Sequence, residues 1–176
     1  MRPAASLSPT SRSAATPDIE LRTLRDGGQT ALEIAEYAAG FLAEARRSLD
    51  LALYDFDLEQ ETAKLVATAL LEAQSRGVEV RLAFNVDHDK PIPEPPPPRA
   101  DPSLLDDLAV PTKRILGVPD LMHHKYVVRD GADVWTGSTN WSDDSWSREE
   151  NVIVVVHSAE VAARYNARRL TLVSRS

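Results

Sequence analysis

Residues 49–84 constrain the fold more than any other segment. Alternating apolar residues predict a strand over 49–55, helical spacing predicts a helix over 59–75 that ends before Gly77, and a second alternating run predicts a strand over 78–84. Two strands joined through one helix by short connections form a βαβ unit, whose strands pair in parallel through a right-handed crossover. The chain is therefore predicted to have an α/β fold.

A second strong pattern precedes this unit. Thr30 and Glu33 have the spacing of a capping box, and apolar residues behind them recur at steps of three and four, so a helix is predicted over 30–47. Structure is expected to begin near Ile19. The elements predicted after residue 84 are a short helix at 103–109, strands at 112–116, 123–129, 133–136 and 151–156, a helical or irregular stretch at 141–149, and a helix at 158–170.

One domain accounts for most of the chain. The length of 176 residues suits a single domain, here 19–176, because domains most often hold about 100–150 residues. Residues 1–18 are rich in Ser, Pro, Ala and Thr without an apolar period, and are expected to form a flexible leader. Seven of the twelve prolines lie within 90–102, so an exposed proline-rich loop is expected at about 87–102.

Composition excludes several functional classes. With no cysteine, the chain has no disulfide, no thiolate nucleophile and no Cys-ligated zinc. The formal net charge of −7 argues against nonspecific coating of nucleic acid, but leaves room for a local anion site. No apolar run approaches the ~20 residues of a transmembrane helix, and no secretory signal is legible, so a cytoplasmic location is expected.

The segment from residue 122 to residue 141, MHHKYVVRDGADVWTGSTNW, concentrates chemically capable side chains. Alternation in a strand places His123 and Lys125 on one face and His124 and Tyr126 on the other. An ammonium supplies charge to a phosphate, and a neutral imidazole supplies a lone pair as nucleophile or base. Small polar residues and a glycine at 137–140 can cradle an oxyanion. If the two strands form a hairpin, His123 lies opposite this turn and one pocket can hold all of these groups.

These residues resemble the motifs of the phospholipase D superfamily, the HKD phosphodiesterases. The upstream runs LALYDF and SRGVEVRLAF are similar too, and the likeness covers roughly residues 30–170. The resemblance implies a three-layer α/β/α sandwich around a mixed, mostly parallel sheet. The matched elements are H-x-K-x4-D at His123, Lys125 and Asp130, G-S-x-N at Gly137, Ser138 and Asn140, and the pair Glu150–Asn151.

The resemblance also implies a reaction, a two-step displacement at a phosphodiester that needs no metal or other cofactor. A histidine forms a covalent phosphohistidine, a second histidine protonates the leaving oxygen, and water or an alcohol completes the reaction. Asp130 is expected to anchor the end of the strand rather than to touch substrate. The implied roles are nucleophile or acid/base for His123, binding of phosphoryl oxygens for Lys125 and Asn140, support of the cradle for Ser138, and orientation of the imidazole for Glu150.

The reaction needs two histidines, whereas this chain has one such motif. His88 and His157 lack the lysine and G-S-x-N companions. The resemblance implies that each chain of a single-motif member contributes half of an active site that a homodimer completes. A homodimer with His123 of each chain around one phosphate is therefore expected. The two equivalent histidines would then titrate as a coupled pair.

Three functions stay open from the sequence. The first is a phospholipase D-type phosphodiesterase acting on phospholipids, and the second is an endonuclease with the same chemistry that prefers single strands. The third is a noncatalytic or incomplete half of a two-motif enzyme. The net charge of −7 disfavours long nucleic acid, but a dimer groove can be locally basic around the motif, from Lys113, Arg114, Lys125, Arg129 and Arg148.

Other candidate residues have simpler interpretations. A metal site at Asp87, His88, Asp89 and Asp120 is conceivable, but such clusters are usually solvated loops, and no metal site is predicted. His124 is expected to pack or to lie at the surface. Trp135 is expected in the core, whereas for Trp141 burial and substrate contact stay equally open.

Overall fold

The computed structural model describes residues 18–86, 112–116 and 122–174. The predicted leader, proline-rich loop and helix at 103–109 lie outside the described residues, apart from Asp18, the last residue of the leader range. The elements are β1 (Asp18–Leu24), α1 (Ala31–Ala43), β2 (Ser48–Leu53), β3 (Phe56–Asp57), α2 (Gln60–Ser75), β4 (Glu79–Val86), β5 (Thr112–Leu116), β6 (Lys125–Arg129), β7 (Asp133–Gly137), β8 (Trp141–Ser142), α3 (Asp143–Ser147), β9 (Asn151–His157) and α4 (Ala159–Ser174).

Seven strands form one sheet in the order β1-β9-β7-β6-β2-β4-β5. The predicted βαβ unit is confirmed, because β2 and β4 pair in parallel around α2, and β5 extends them in parallel. The other four pairings are antiparallel, so the sheet is mixed as expected, but the expectation that it is mostly parallel is wrong. The tight turn at Asp130 and Gly131 accounts for one of them, β6 with β7, because a connection this short can join only antiparallel strands.

Helices cover both faces of the sheet, which confirms the α/β sandwich. On one face, α1 and α2 pack together and bury an apolar cluster that includes Leu51, Val127 and Trp135. On the opposite face, Tyr126 and Val128 pack with Ala162 of α4. The prediction that Trp135 belongs to the core is confirmed, since it is buried. None of the described helices is both long and apolar enough to cross a membrane.

Helix α1 begins as predicted and ends early. Thr30 accepts a hydrogen bond from the Glu33 backbone N–H, and the Glu33 carboxylate accepts one from the Thr30 N–H, which completes the capping box. The helix ends at Ala43 rather than at residue 47. The backbone N–H groups of Arg46 and Arg47 donate to the Asp130 carboxylate, so they do not continue the helical ladder.

Candidate active site

Four strand ends meet at one edge of the main sheet and bring the predicted motifs together. Because β2 runs antiparallel to β6, its last residue, Leu53, pairs with Lys125, the first residue of β6. At the same edge, Gly137 at the end of β7 pairs with Ile153, two residues into β9. The β6–β7 hairpin is confirmed, with Val127 paired with Trp135. If this register is continued by two residues, Lys125 lies beside Gly137.

His123 and Lys125 share one face, as predicted, and both contact the ring of Tyr54. The centroids of the His123 and Tyr54 rings are 4.4 Å apart, and the Lys125 Nζ lies 4.8 Å from the Tyr54 ring centroid. The same Nζ donates to the backbone oxygen of His123 over 3.3 Å. The ring of His124 contacts Tyr126 at 5.5 Å instead, which confirms that His124 packs away from this cluster.

Electrostatics favour a neutral imidazole beside a cation. His123 is exposed, but the partial desolvation of its ring lowers its pKa, and the positive charge of Lys125 lowers it further. Burial also lowers the pKa of Lys125, while the carboxylates of Asp55 and Glu149 oppose this change. A neutral imidazole keeps the lone pair that a nucleophile or a general base needs.

Gly137 at the start of the GSTN turn is required by a close approach of backbones. Its φ is +148°, and a Cβ at this position would overlap the carbonyl oxygen of Val152. The next residue, Ser138, donates its backbone N–H to that same oxygen over 3.0 Å. The GSTN turn is therefore held against the start of β9 at Val152.

The Ser138 side chain joins a hydrogen-bond chain that leads to Glu149. Its hydroxyl donates to Asn151 Oδ1 over 2.7 Å and accepts the Val152 N–H over 3.0 Å. Asn151 in turn donates to Glu149 Oε2 over 3.0 Å, and the Ser145 hydroxyl donates to the same atom over 2.7 Å. The Ser138 hydroxyl therefore stabilises the turn by hydrogen bonds to Asn151 and Val152. Its role in binding phosphate stays a prediction.

Asn140 has unused hydrogen-bonding capacity. Its Oδ1 is buried and has no partner among the described residues, although the residue as a whole is half-buried. A buried acceptor without a partner costs about 1–3 kcal/mol, so a feature of this kind calls for an explanation. The predicted contact of the Asn140 amide with substrate is one explanation, and it stays a prediction.

The two adjacent acids lie in different surroundings. Glu150 is exposed and lines a groove of about 400 Å³ with Thr23, Arg25 and Ser138, and its predicted orientation of an imidazole stays a prediction. Glu149, which the sequence interpretation passed over, is the acid whose charge acts on Lys125. The sequence carries no clear signal for it, because Glu149 lies in the bend before β9, where strand alternation does not apply.

The sequence matches a known protein family. The family described as "Cardiolipin synthase, PLD-like domain" matches residues 39–169, most of the chain. The chain belongs to the phospholipase D superfamily. Mitochondrial cardiolipin hydrolase from Xenopus laevis is 32% identical over 123 residues, which are 69% of this chain and 53% of that protein. The chain thus spans about half the length of the curated relatives that it matches.

Solved structures of the superfamily share the fold. Nuc from Salmonella typhimurium, a phospholipase D family member, superposes with a TM-score of 0.68 at 16% identity, over 91% of this chain and 96% of Nuc. Phosphatidylserine synthase from Haemophilus influenzae superposes with a TM-score of 0.62 at 11% identity, over 97% of this chain and 41% of that one. The sandwich described above is therefore the phospholipase D fold.

The aspartate of the superfamily motif lies far from its histidine. Asp130 follows the last residue of β6, roughly 16 Å along the strand from Lys125. It has a φ of +56°, and its carboxylate accepts backbone N–H groups from Arg46 over 3.0 Å, Arg47 over 2.7 Å and Ser48 over 3.0 Å. It anchors the strand end, and the site described here gives it no contact with the reacting groups.

The expected basic cluster does not form as predicted. Arg129 is buried at the far end of β6, where its guanidinium pairs with Glu44 and Asp133. Lys113 and Arg114 lie on β5, the edge strand separated from β6 by β2 and β4.

Two further candidates have clear outcomes. Trp141 is buried among Phe56, Trp135 and Trp146, so of its two open interpretations the structure favours the core. The residues of the conceivable metal cluster lie outside the described residues.

Proposed function

We propose that the protein is a phospholipase D-type phosphodiesterase that hydrolyses a phospholipid phosphodiester, or transfers it to an alcohol. The observation that carries this proposal is the meeting of His123, Lys125 and the GSTN turn at one edge of a superfamily sheet. The surroundings lower the pKa of the imidazole and so favour its neutral form, and an ammonium lies beside it.

In the proposed first step, the imidazole lone pair of His123 attacks phosphorus. The bond from phosphorus to the leaving alcohol oxygen breaks, and that oxygen takes a proton from the protonated His123 of a second subunit. In the second step, a water molecule attacks phosphorus and gives its proton to the second histidine, now neutral. The phosphorus–nitrogen bond breaks, and both histidines return to their starting states. Lys125 stabilises the charge on the phosphoryl oxygens in both steps.

A homodimer supplies the second histidine in this mechanism, and an exposed apolar surface supports it. On the α4 side of the sheet, α4 packs against β6 and β7, whereas Ile19 and Leu21 of β1 are 54% and 68% exposed. Their register partners on β9, Val156 and Val154, are only half-buried. Large exposed apolar patches mark interaction surfaces, which supports the association of a second copy of this chain.

Phospholipid is the proposed substrate class for two reasons. The curated relative that the chain resembles is named as a hydrolase of cardiolipin. A locally basic groove around the motif would favour the nuclease alternative, but the buried guanidinium of Arg129 is paired with Glu44 and Asp133 at the far end of β6. The described site instead combines Lys125 with two carboxylates whose charges act on it, those of Asp55 and Glu149.

A paired substrate assay tests the proposal. Purified protein is offered a fluorescent phospholipid with a primary alcohol, and separately a labelled single-stranded oligonucleotide, with and without EDTA. We expect transphosphatidylation of the lipid that survives EDTA, abolition by His123→Ala, and retention by His124→Ala, the matched control. Cleavage of the oligonucleotide alone would establish the endonuclease. Silence on both substrates from a folded dimer would favour the incomplete half-enzyme.

A further inference from the structure

We propose that Tyr54 is a positioning residue that sets the geometry of His123 and Lys125 together, an inference that rests on the proposed function of that site. One aromatic ring contacts both side chains, at 4.4 Å for the imidazole centroid and 4.8 Å for the Lys125 Nζ. Tyr54 itself lies outside the H-x-K-x4-D and G-S-x-N elements. Tyr54 acts through these two residues and is not itself a catalytic residue.

The backbone brings Tyr54 to this place. It follows Leu53, whose pairing with Lys125 is the last rung between β2 and β6. The Tyr54 N–H then donates to the carbonyl oxygen of His124 over 2.7 Å, so the chain that carries the ring is fastened to the chain that carries the histidine. A side chain at this position is held beside the start of β6 before any side-chain contact forms.

The Tyr54 ring makes two contacts of different electrostatic character. Its π-face is electron-rich and attracts the Lys125 ammonium, a cation–π contact. The His123 ring meets it at an interplanar angle of 68°, in the edge-to-face arrangement that aromatic rings prefer. The ammonium and the imidazole are thereby kept on one side of the strand end, and the lysine charge remains close enough to disfavour protonation of His123.

Tyr54 is not explained by packing alone. Its neighbour Leu53 is fully buried in the main apolar cluster, whereas Tyr54 is half-buried and lies outside both apolar clusters of the described residues. Its ring instead covers one side of each functional side chain, although His123 is otherwise exposed and Lys125 is half-buried. Removing the ring should hydrate His123 and free the Lys125 side chain, so the pKa of His123 should rise towards its ordinary value.

The experiment compares Tyr54→Phe, which keeps the ring, with Tyr54→Leu, which removes it. The His123 imidazole is titrated by NMR in the substrate-free protein, and kcat and KM are measured on the fluorescent phospholipid of the paired assay. We expect Tyr54→Phe to resemble wild type within about 3-fold in kcat, and Tyr54→Leu to lose about 10- to 100-fold in kcat with little change in KM, because misplaced groups cost rate rather than binding. The His123 pKa should rise only in Tyr54→Leu.

Tyr37→Leu is the matched control. Tyr37 is also half-buried and also has a cation over its ring, Arg22 at 5.2 Å, but it packs on Trp135 away from the site. This variant should lose stability and leave the His123 titration unchanged. Should Tyr54→Leu fail to fold, Tyr54→Met replaces it.

The outcomes separate this inference from the proposed function. A folded Tyr54→Leu protein with wild-type kcat and a wild-type His123 titration would overturn the positioning role. An inactive wild type in which the His123 titration still responds to Tyr54→Leu would contradict the proposed function, while the link between the ring and the histidine would stand.

Discussion

The ring of His157 lies against Asp133, with Nδ1 2.7 Å from Asp133 Oδ1, at the sheet edge opposite the candidate active site. Its Nε2 lies 2.9 Å from the Glu20 carboxylate, so protonated His157 joins β1, β7 and β9 by two charged hydrogen bonds. The hydrogen bonds to Glu20 and Asp133 raise the pKa of His157.

This relationship predicts a pH dependence of stability. Because the folded pKa is raised, the stabilisation is fully present below the ordinary histidine pKa of about 6.5 and is lost as the pH rises through the raised value. We expect the stability advantage of wild type over His157→Gln to shrink by about 1 kcal/mol between acid and alkaline pH, since the pair is partly exposed. Urea unfolding at several pH values measures this. A constant difference across the range would contradict it.

Asp130 should matter for stability far more than for chemistry. Burial raises its pKa, but the backbone N–H groups of Ser48, Arg47 and Arg46 outweigh burial and hold the pKa below its ordinary value. Asp130→Ala should cost about 3 kcal/mol, because those donors lose their acceptor. Asp130→Asn should cost less, since asparagine keeps an acceptor and tolerates positive φ. Urea unfolding gives the costs. Activity per folded molecule should stay near wild type, and its loss in a folded variant would refute the anchoring role.

Gly137→Ala and Gly131→Ala form a matched pair. Both glycines have positive φ, at +148° and +62°, but a Cβ at Gly131 has nothing within 4 Å, whereas one at Gly137 overlaps Val152. Gly131→Ala should cost about 1–2 kcal/mol from backbone strain alone. Gly137→Ala should cost about 3 kcal/mol or more and lower activity, because the GSTN turn must move. Thermal unfolding and the lipid assay measure the two effects. Equal costs would show that the close approach is unimportant.

Lys125→Met should raise the pKa of His123. Removing a positive charge beside the imidazole removes a penalty on its protonated form. Turnover should fall by about 100-fold, because the phosphoryl oxygens lose a cation. NMR titration of His123 and the lipid assay check both effects. Lys64→Met, on the outer groove between α1 and α2, is the control and should change neither. A lowered or unchanged His123 pKa in Lys125→Met would contradict the electrostatic account.

Leu21→Lys should dissociate the proposed homodimer. Placing an ammonium on the apolar β1–β9 surface should weaken association by at least about 10-fold, since a buried unpaired charge is costly. Leu71→Lys on α2 is the control, because Leu71 is also exposed, at 44%, but lies in the opposite helical layer. Sedimentation velocity over a range of concentrations measures both variants. Wild type that is active and purely monomeric would contradict the shared site.

The hairpin and the faces of its residues were predictable because they follow from local rules. Alternation with a period of two separates His123 from His124, and a turn at Gly131 fixes the pairing of β6 with β7. Strand β1 was not predicted, because its side chains are mostly exposed and its partner β9 lies far along the chain. The contrast between Glu149 and Glu150 depends on the path of the chain from α3 into β9, which alternation in β9 alone does not define.

The five residues of β6 also set the distance between Lys125 and Asp130. One end of the strand is fastened to the connection between α1 and β2 by Asp130, and the other end presents Lys125 to Tyr54. Side chains alternate along the strand, so one inserted residue would turn Lys125 to the α4 face even though every motif residue would still be present. Two inserted residues would restore the face but move the ammonium by roughly 7 Å beyond the ring. The number of residues between the lysine and the aspartate therefore determines both the face and the position of the lysine, in addition to defining the sequence motif.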